Sequence, residues 1–286
     1  MSHHLSTSVP QPLQNRIFVA NKPIFVSSNS FLHRLKKKYK VKKGGFSGTL
    51  DPFACGTLIV AFGQYSKLFQ FLQKTPKTYR AVIWLGVQSD SYDIENVTSI
   101  DIVEKIKDKN SIKEVLNIFM GAIEYTPPKY SAKKINGMRA YELARSGEEF
   151  EIKKSIMNIS DIKFISYSHP FITFEASVSE GSYIRSLAQL ICDKLGVIGT
   201  LSYLERLNEG KFIYEDEKAL NPIEALGMPI IGYSGSREWF FDGKRLDISY
   251  FDCRDDGEYI VVFDDFFSII QIQNEEVDYI LNKVLL

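Results

Sequence analysis

Apolar positions along the chain change their spacing several times, and each change marks an element. The run RIFVA (16–20) reads as a short strand, followed by a loop over 21–29 that is rich in turn-forming residues. From Ser30 on, Phe31, Leu35 and Tyr39 recur every four residues, which predicts a short amphipathic helix with lysines on its other faces. The first half of 42–63 holds glycines and a proline and predicts a loop; LIVAF (58–62) is continuously apolar and predicts a buried strand. The pattern then predicts a helix over 64–74, a strand over 78–86 and a polar loop over 90–98. Ile112, Val115, Leu116 and Phe119 share one face of a helix over 111–120, and two prolines exclude helix at 126–131. A helix over 136–147 ended by Gly147, strands over 150–165 and 171–178, and a helix through Ile184, Leu187, Ile191 and Leu195 ended by Gly196 complete the main body. Beyond Pro229 come short strands and acidic turns, clearest in YIVVF (259–263) and FSIIQIQ (267–273). No fixed-period repeat interrupts this order. Helices mixed with strands that are often sequence neighbours predict an α+β fold with a mixed, largely antiparallel sheet. The expected division is a loose leader (1–15), a main domain (16–229) and a small β-rich C-terminal module (230–286).

Composition narrows the class. With 44% hydrophobic and 24% charged residues in 286, the chain has the make-up of a folded globular protein, not of a disordered one. Its three cysteines, Cys55, Cys192 and Cys253, are odd in number and form no CxxC pair, which argues against a disulfide framework and for a reducing compartment. No run approaches the ~18 apolar residues of a membrane span, and the leader lacks the apolar segment of a secretory signal, so a cytoplasmic location is expected. The formal net charge of zero hides an asymmetry: residues 1–150 carry 22 Lys and Arg against 12 Asp and Glu, residues 151–286 carry 13 against 23. A polyanion would feel one part of this molecule and not the other. The densest basic run, HRLKKKYKVKK (33–43), is by itself equally compatible with a solvated helix face.

The chemistry concentrates in GGFSGTLDPFACGTL (44–58), where four glycines surround the single carboxylate Asp51. Such a carboxylate can be a nucleophile, a general base or a metal ligand, or simply the first residue of an Asp-Pro turn. No carboxylate or histidine cluster accompanies it, so no metal is expected. The segment lacks the GKS or GKT of a phosphate-binding loop.

This segment closely resembles the catalytic motif of the TruB-type tRNA pseudouridine synthases, a glycine-rich stretch that carries the catalytic aspartate. Four further blocks resemble the same family in the same order: NKPIFVSSN (21–29), KTYRAVIWLGVQSDSYD (77–93), TPPKYSAKKINGMRAYELARSG (126–147), and EGSYIRSLAQLICDKLG (180–196) with YLERL (203–207). The likeness covers roughly residues 16–215. It implies the pseudouridine synthase fold with a C-terminal module of the PUA type, here short and acidic. It also implies the substrate, a uridine in the T arm of tRNA, usually position 55, converted without cofactor or metal. Carried over by matching positions, Asp51 would be the catalytic carboxylate, Tyr79 the ring that stacks on the target uracil and Arg185 the cation that pairs with Asp51. Tyr183 and Leu204 would line the same pocket, and Lys22 with Pro23 would support the loop beneath.

Without the resemblance, Tyr79 reads equally as a core tyrosine and Arg185 as a surface arginine at a helix start. Two positions depart from the family. Phe46 stands where a histidine is common, so it can fill and stack as an apolar wedge in the RNA but cannot titrate. Glu205 stands where the family often has a basic residue. The basic run (Arg34, Lys36, Lys37, Lys38, Lys42 and Lys43) lies directly before the catalytic loop, which favours RNA contact over a merely solvated face. Lys133, Lys134 and Arg139 form a second candidate contact. The expected protein is a monomeric, stand-alone enzyme on tRNA; the rival reading is a non-catalytic RNA-binding or tRNA-folding protein of the same fold. A guide-RNA-directed subunit is disfavoured by the absence of lysine-rich tails.

Overall fold

The computed structural model describes residues 15–106, 108–131, 133–135, 137–146 and 150–286. The leader, apart from Asn15, lies outside the described residues, as do Asn136 and Gly147. In chain order the elements are β1 (Arg16–Lys22), α1 (Ser28–Lys38), β2 (Gly44–Phe46), β3 (Cys55–Phe62), a 3-10 segment (Gly63–Gln70), β4 (Lys77–Leu85), β5 (Val87–Ser89), β6 (Val97–Ile100), α2 (Lys109–Ile118) and β7 (Gly121–Tyr125). There follow β8 (Lys134–Ile135), β9 (Met138–Arg139), α3 (Ala140–Ser146), β10 (Ser155–Ser168), β11 (Phe171–Val178), α4 (Ile184–Leu195) and β12 (Gly199–Glu209). Last come α5 (Pro222–Leu226), α6 (Glu238–Asp242), β13 (Gly257–Val262), β14 (Phe266–Gln273) and β15 (Glu276–Leu285).

Eight strands make one sheet in the order β1-β3-β12-β4-β11-β10-β7, with β2 laid on β3. The β3–β12 pair is parallel and the other pairs are antiparallel, which is the mixed, largely antiparallel α+β sheet that the sequence predicts. Helices α2 and α4 cover one face: Ile112, Leu116, Leu187, Ala188 and Ile191 pack on Ile83, Leu85, Ile172 and Phe174. Near β1 and β3 a second apolar cluster joins Ile17, Val19 and Ile59 to Tyr65 and Leu68 of the 3-10 segment. Ile260, Phe267, Ile269 and Val284 of the three-stranded sheet β13-β14-β15 belong to that same cluster, so the small sheet is docked on the large one through a shared core.

The sequence pattern went astray at a few elements, each for a physical reason. Residues 64–74 read as a helix, yet Gly63–Gln70 is 3-10; its buried Tyr65 and Leu68 are three apart, the repeat of the tighter spiral. Gly44–Phe46 read as loop but pairs with β3, where a Cβ on Gly44 would sit 2.6 Å from the Phe62 ring. The expected polar loop at 90–98 closes the hairpin β5–β6. The expected helix over 136–147 starts at Ala140, behind the hairpin β8–β9. The long strand expected over 150–165 is shifted to Ser155–Ser168. Strand β12 carries no clean alternation, because it is bulged twice against β4 and buries Arg206 and Glu209 as an ion pair. The parallel contact between β3 and β12 demands glycine at Gly56: its φ is 102° and an added Cβ would lie 2.3 Å from the Arg206 carbonyl oxygen.

Gly121 supplies the control, with φ of 91° and open space around it. Gly121→Ala should cost only backbone strain, about 1 kcal/mol, whereas Gly56→Ala should cost about 2–4 kcal/mol because the clash adds to it. Urea unfolding of the two variants beside the parent measures the difference; equal losses would show that β3 and β12 are not held this close.

Candidate active site

The loop between β2 and β3 is shaped by its own residues. Pro52 follows Asp51 in a tight turn, closed by a hydrogen bond from the Ala54 amide to the Asp51 carbonyl at 3.1 Å. Phe53 and Ala54 are buried and anchor the turn. One residue before Asp51, the Leu50 amide donates to Ser28 Oγ (3.0 Å) and the Leu50 carbonyl accepts from the same hydroxyl (2.9 Å). Beneath the loop lies the fully buried Lys22, whose ammonium donates to the carbonyls of Pro23 (2.9 Å), Val26 (2.6 Å) and Pro52 (3.4 Å). Burial lowers its pKa to about 8, against the opposing pull of Cys55 and Asp51.

Helix α4 delivers the cation. Its apolar face (Leu187, Ala188, Ile191, Cys192) fixes its rotation, and Gly196 at φ 67° ends it. Arg185 then falls in the first turn, a position at which the helix dipole opposes a positive charge. Two carboxylates offset that cost. Arg185 Nη2 lies 2.9 Å from Asp51 Oδ2, and Nη1 lies 3.1 Å from Asp93 Oδ2. The remaining Nη hydrogens go to the carbonyls of Ser91 and Tyr130, each at 2.8 Å. Asp93 is held in turn by Ser91 Oγ (2.6 Å) and the Glu95 amide (2.9 Å), both on its other oxygen. The guanidinium and Asp93 are almost wholly buried, while Asp51 keeps 32% of its side chain open. Desolvation pushes the Asp51 carboxyl above its ordinary range; Arg185 and Lys22 oppose the shift and Asp93 adds to it.

The open face of Asp51 looks into a cavity of about 460 Å³. Tyr79 of β4, Tyr183, Leu204 and Arg185 line it with Lys77, Arg206 and Lys133. Tyr79 sits in the sheet and is 8% exposed, so it is at once a core tyrosine and a pocket wall. Burial raises the pKa of Tyr183. Under this cavity a buried ionic cluster fastens the loop to the sheet. Arg206 donates to the Gly48 and Thr57 carbonyls (3.0 and 2.8 Å) and pairs with Glu209 at 2.9 Å; Lys77 reaches Glu209 at 3.2 Å. Asp51 and Arg185 also border a second cavity, about 500 Å³, lined by Ser27, Asn29, Phe46, Asp93 and Tyr130.

The chain matches the model of the TruB family pseudouridylate synthases (N-terminal domain) over residues 36–184. A protein of Nitratiruptor sp. named tRNA pseudouridine synthase B is 55% identical over 270 residues, covering 94% of this chain and 98% of its own. Its counterpart in Campylobacter concisus is 53% identical with the same coverage. The chain belongs to the TruB family of pseudouridylate synthases. The fold agrees: a chain of a Cbf5–Nop10–Gar1 complex superimposes with a TM-score of 0.66 at 18% identity, covering 96% of this chain and 85% of that one.

In this TruB family member the structure brings Asp51, Tyr79, Arg185, Tyr183 and Leu204 around one cavity and puts Lys22 behind the loop. Phe46 borders the second cavity, beside Asp51. Arg34, Lys36 and Lys37 lie on α1, and Lys42 and Lys43 lead into β2. Lys38 is already paired, 2.6 Å from Glu217. Lys133 points to Ser155 Oγ (2.8 Å) at the cavity wall, Arg139 is exposed, and the side chain of Lys134 lies outside the described residues. Glu205 accepts a hydrogen bond from Tyr203 at 3.1 Å. Sequence reasoning did not name Asp93, Ser28 or Glu209. Asp93 and Ser28 lie in the blocks 77–93 and 21–29 already singled out, so a second carboxylate for a buried guanidinium and a hydroxyl for the loop were there to be found; Glu209 carries no signal in sequence.

An ammonium has one charged centre and cannot divide itself between two carboxylates and two carbonyls as the guanidinium does. Arg185→Lys should therefore leave RNA binding within a few-fold of the parent and cut the single-turnover rate by about 10²-fold or more. A variant with near-parental turnover would show that the divided contact is dispensable.

Proposed function

We propose that this isomerase converts a uridine in the T arm of tRNA, usually that at position 55, to pseudouridine, with Asp51 as the reacting carboxylate. The enzyme is a TruB family pseudouridine synthase acting on tRNA; the proposal concerns which uridine it takes and which residues act. The observation that carries it is the Asp51–Arg185 pair at 2.9 Å on the wall of a cavity large enough for a pyrimidine nucleoside. Substrate and product are isomers, so the reaction needs no oxidant and no group donor. The bond from the sugar C1′ to the uracil N1 breaks, the base turns, C5 bonds to C1′, and C5 gives up its proton while N1 takes one up, so that no net proton is gained or lost. A carboxylate opens this by attacking the ribose, by adding to the uracil ring, or by helping remove a sugar proton. Each opening uses the ionised form, which Arg185 and Lys22 favour against burial.

The target base must leave its stack to reach Asp51. In this reading Tyr79 receives it, its ring offering roughly 1–3 kcal/mol of stacking, while Tyr183 and Leu204 close the pocket. Arg34, Lys36, Lys37, Lys42 and Lys43 hold the phosphates, with Lys133, Lys134 and Arg139 as a second contact and Phe46 as a wedge in the RNA. Catalysis belongs to residues 16–229, and 230–286 form a small PUA-like module. The enzyme works as a cytoplasmic monomer. The alternative, an RNA-folding protein without chemistry, predicts that loss of Asp51 changes nothing measurable.

Asp51→Asn should bind unmodified T-arm RNA as the parent does and release no pseudouridine; product above background would remove Asp51 from the role. In the parent, the single-turnover rate should fall with acid at a higher pH than the ordinary carboxylate value of 3.8 predicts, because the raised pKa leaves the carboxyl protonated sooner. The stability effect has the opposite sign: this group's contribution is full below its unfolded pKa and is lost as pH rises through the folded one. Replacing Lys37, Lys38, Lys42 and Lys43 by Gln should flatten the plot of log affinity against log salt by about three units. Each lysine is worth ~0.9 or less, and Lys38 counts least because Glu217 already holds it. An unchanged slope would place the RNA elsewhere.

A further inference from the structure

The turn between β1 and α1 carries two apolar side chains at its tip. Ile24 is 45% exposed and Phe25 is 64% exposed. Phe25 also holds φ at 57°, the left-handed region where a Cβ costs roughly 1–2 kcal/mol. Glycine or asparagine is the ordinary choice there, and an exposed phenylalanine gains nothing from the core in return. Among the described residues the Phe25 ring belongs to none of the apolar clusters.

The turn is rigidly placed. Its Pro23 and Val26 carbonyls are held by the buried Lys22 ammonium, which also reaches Pro52, the residue after Asp51. Ser27, Ser28 and Asn29, the next residues, line the second cavity with Phe46, Asp51 and Arg185. On its other side α1 begins at Ser28 and presents Arg34, Lys36 and Lys37. An exposed aromatic two residues before the cavity-lining Ser27, on the turn that leads into a basic helix, suits a partner that carries both phosphates and flat unpaired rings.

We propose that Phe25, backed by Ile24, is a stacking platform for an unpaired base of the substrate RNA, next to the nucleotide that enters the Asp51 cavity. The inference rests on the reading of the protein as an enzyme of T-arm RNA and adds a contact that orients the loop of that RNA. Stacking on an exposed face tolerates any base, so Phe25 contributes to affinity and placement and not to reading sequence.

The test turns on opposite signs. Phe25→Gly relieves the left-handed strain, so its thermal midpoint should equal or exceed the parent's, while its affinity for a T-arm hairpin should drop by about five- to thirtyfold. Phe25→Trp should restore binding. Hairpins with 2-aminopurine at single loop positions should show one position quenched by the parent and by Phe25→Trp but not by Phe25→Gly. If Phe25→Gly binds and quenches as the parent does while the parent still forms pseudouridine, the platform is wrong and the enzyme reading stands. If the parent neither binds nor converts the hairpin, both fall. If Phe25→Gly leaves RNA binding intact but abolishes a self-association seen by sedimentation, the ring serves a second copy of the chain, and the platform is again wrong.

Discussion

One guanidinium divided between two carboxylates organises the site. Arg185 spends one edge on Asp51 and the other on Asp93, and gives its other two Nη hydrogens to the backbone at Ser91 and Tyr130. Those four partners come from three separate stretches of chain, so placing one side chain fixes the β2–β3 loop, the β5–β6 hairpin and the segment before β8 against α4. A buried pair of this kind is weak evidence for net stability, since desolvation consumes most of the attraction. Its value lies in geometry: Asp93 leaves the guanidinium a single orientation in which to meet Asp51.

The electrostatics of the four charged groups around the loop follow from the same arrangement. Asp51 and Asp93 are balanced by Arg185 and Lys22, so the set is neutral as a whole and can sit in the protein without a counterion. Lys22 does this at a distance; its hydrogen bonds go to carbonyls, and it acts on Asp51 through space. Asp51 is the most open member of the set, with 32% of its side chain exposed, and it borders the cavity together with Arg185. The ionic cluster of Arg206, Glu209 and Lys77 performs the mechanical half of the task, gripping the loop at Gly48 on one side of Asp51 and at Thr57 on the other.

How much of this was legible in the sequence depended on whether a residue's neighbours were local. The Asp-Pro turn, α4 with its Gly196 stop and strands β4 and β11 are written in short-range spacing, and they read correctly. Asp51, Tyr79 and Arg185 stood out because whole blocks around them resemble one family, not because any pattern placed them together. Strand β12 was lost because its interior positions are charged: Arg206 and Glu209 look like surface residues until Lys77 and Thr57 are seen beside them. Asp93 was lost for the complementary reason. The polar loop expected over 90–98 is folded inward there, with Ser91 and Asp93 satisfying each other and then the guanidinium.

The asymmetry of charge along the chain also takes on a different meaning in three dimensions. Summed over halves, the acidic second part looks like a region that RNA must avoid. In the fold, Glu217 comes back to the end of α1, where it accepts from Lys38 and from the Tyr39 hydroxyl, and Arg16 caps the Glu217 carbonyl at 2.7 Å while lying over the Tyr39 ring. Part of the acidic surplus thus serves to neutralise one edge of the basic helix instead of repelling the substrate. Lys36 and Lys37 on α1 and Lys42 and Lys43 before β2 lie on the stretch that leads into the glycine-rich loop. The neutral total charge of the chain is therefore compatible with a locally basic stretch directly before the loop that carries Asp51.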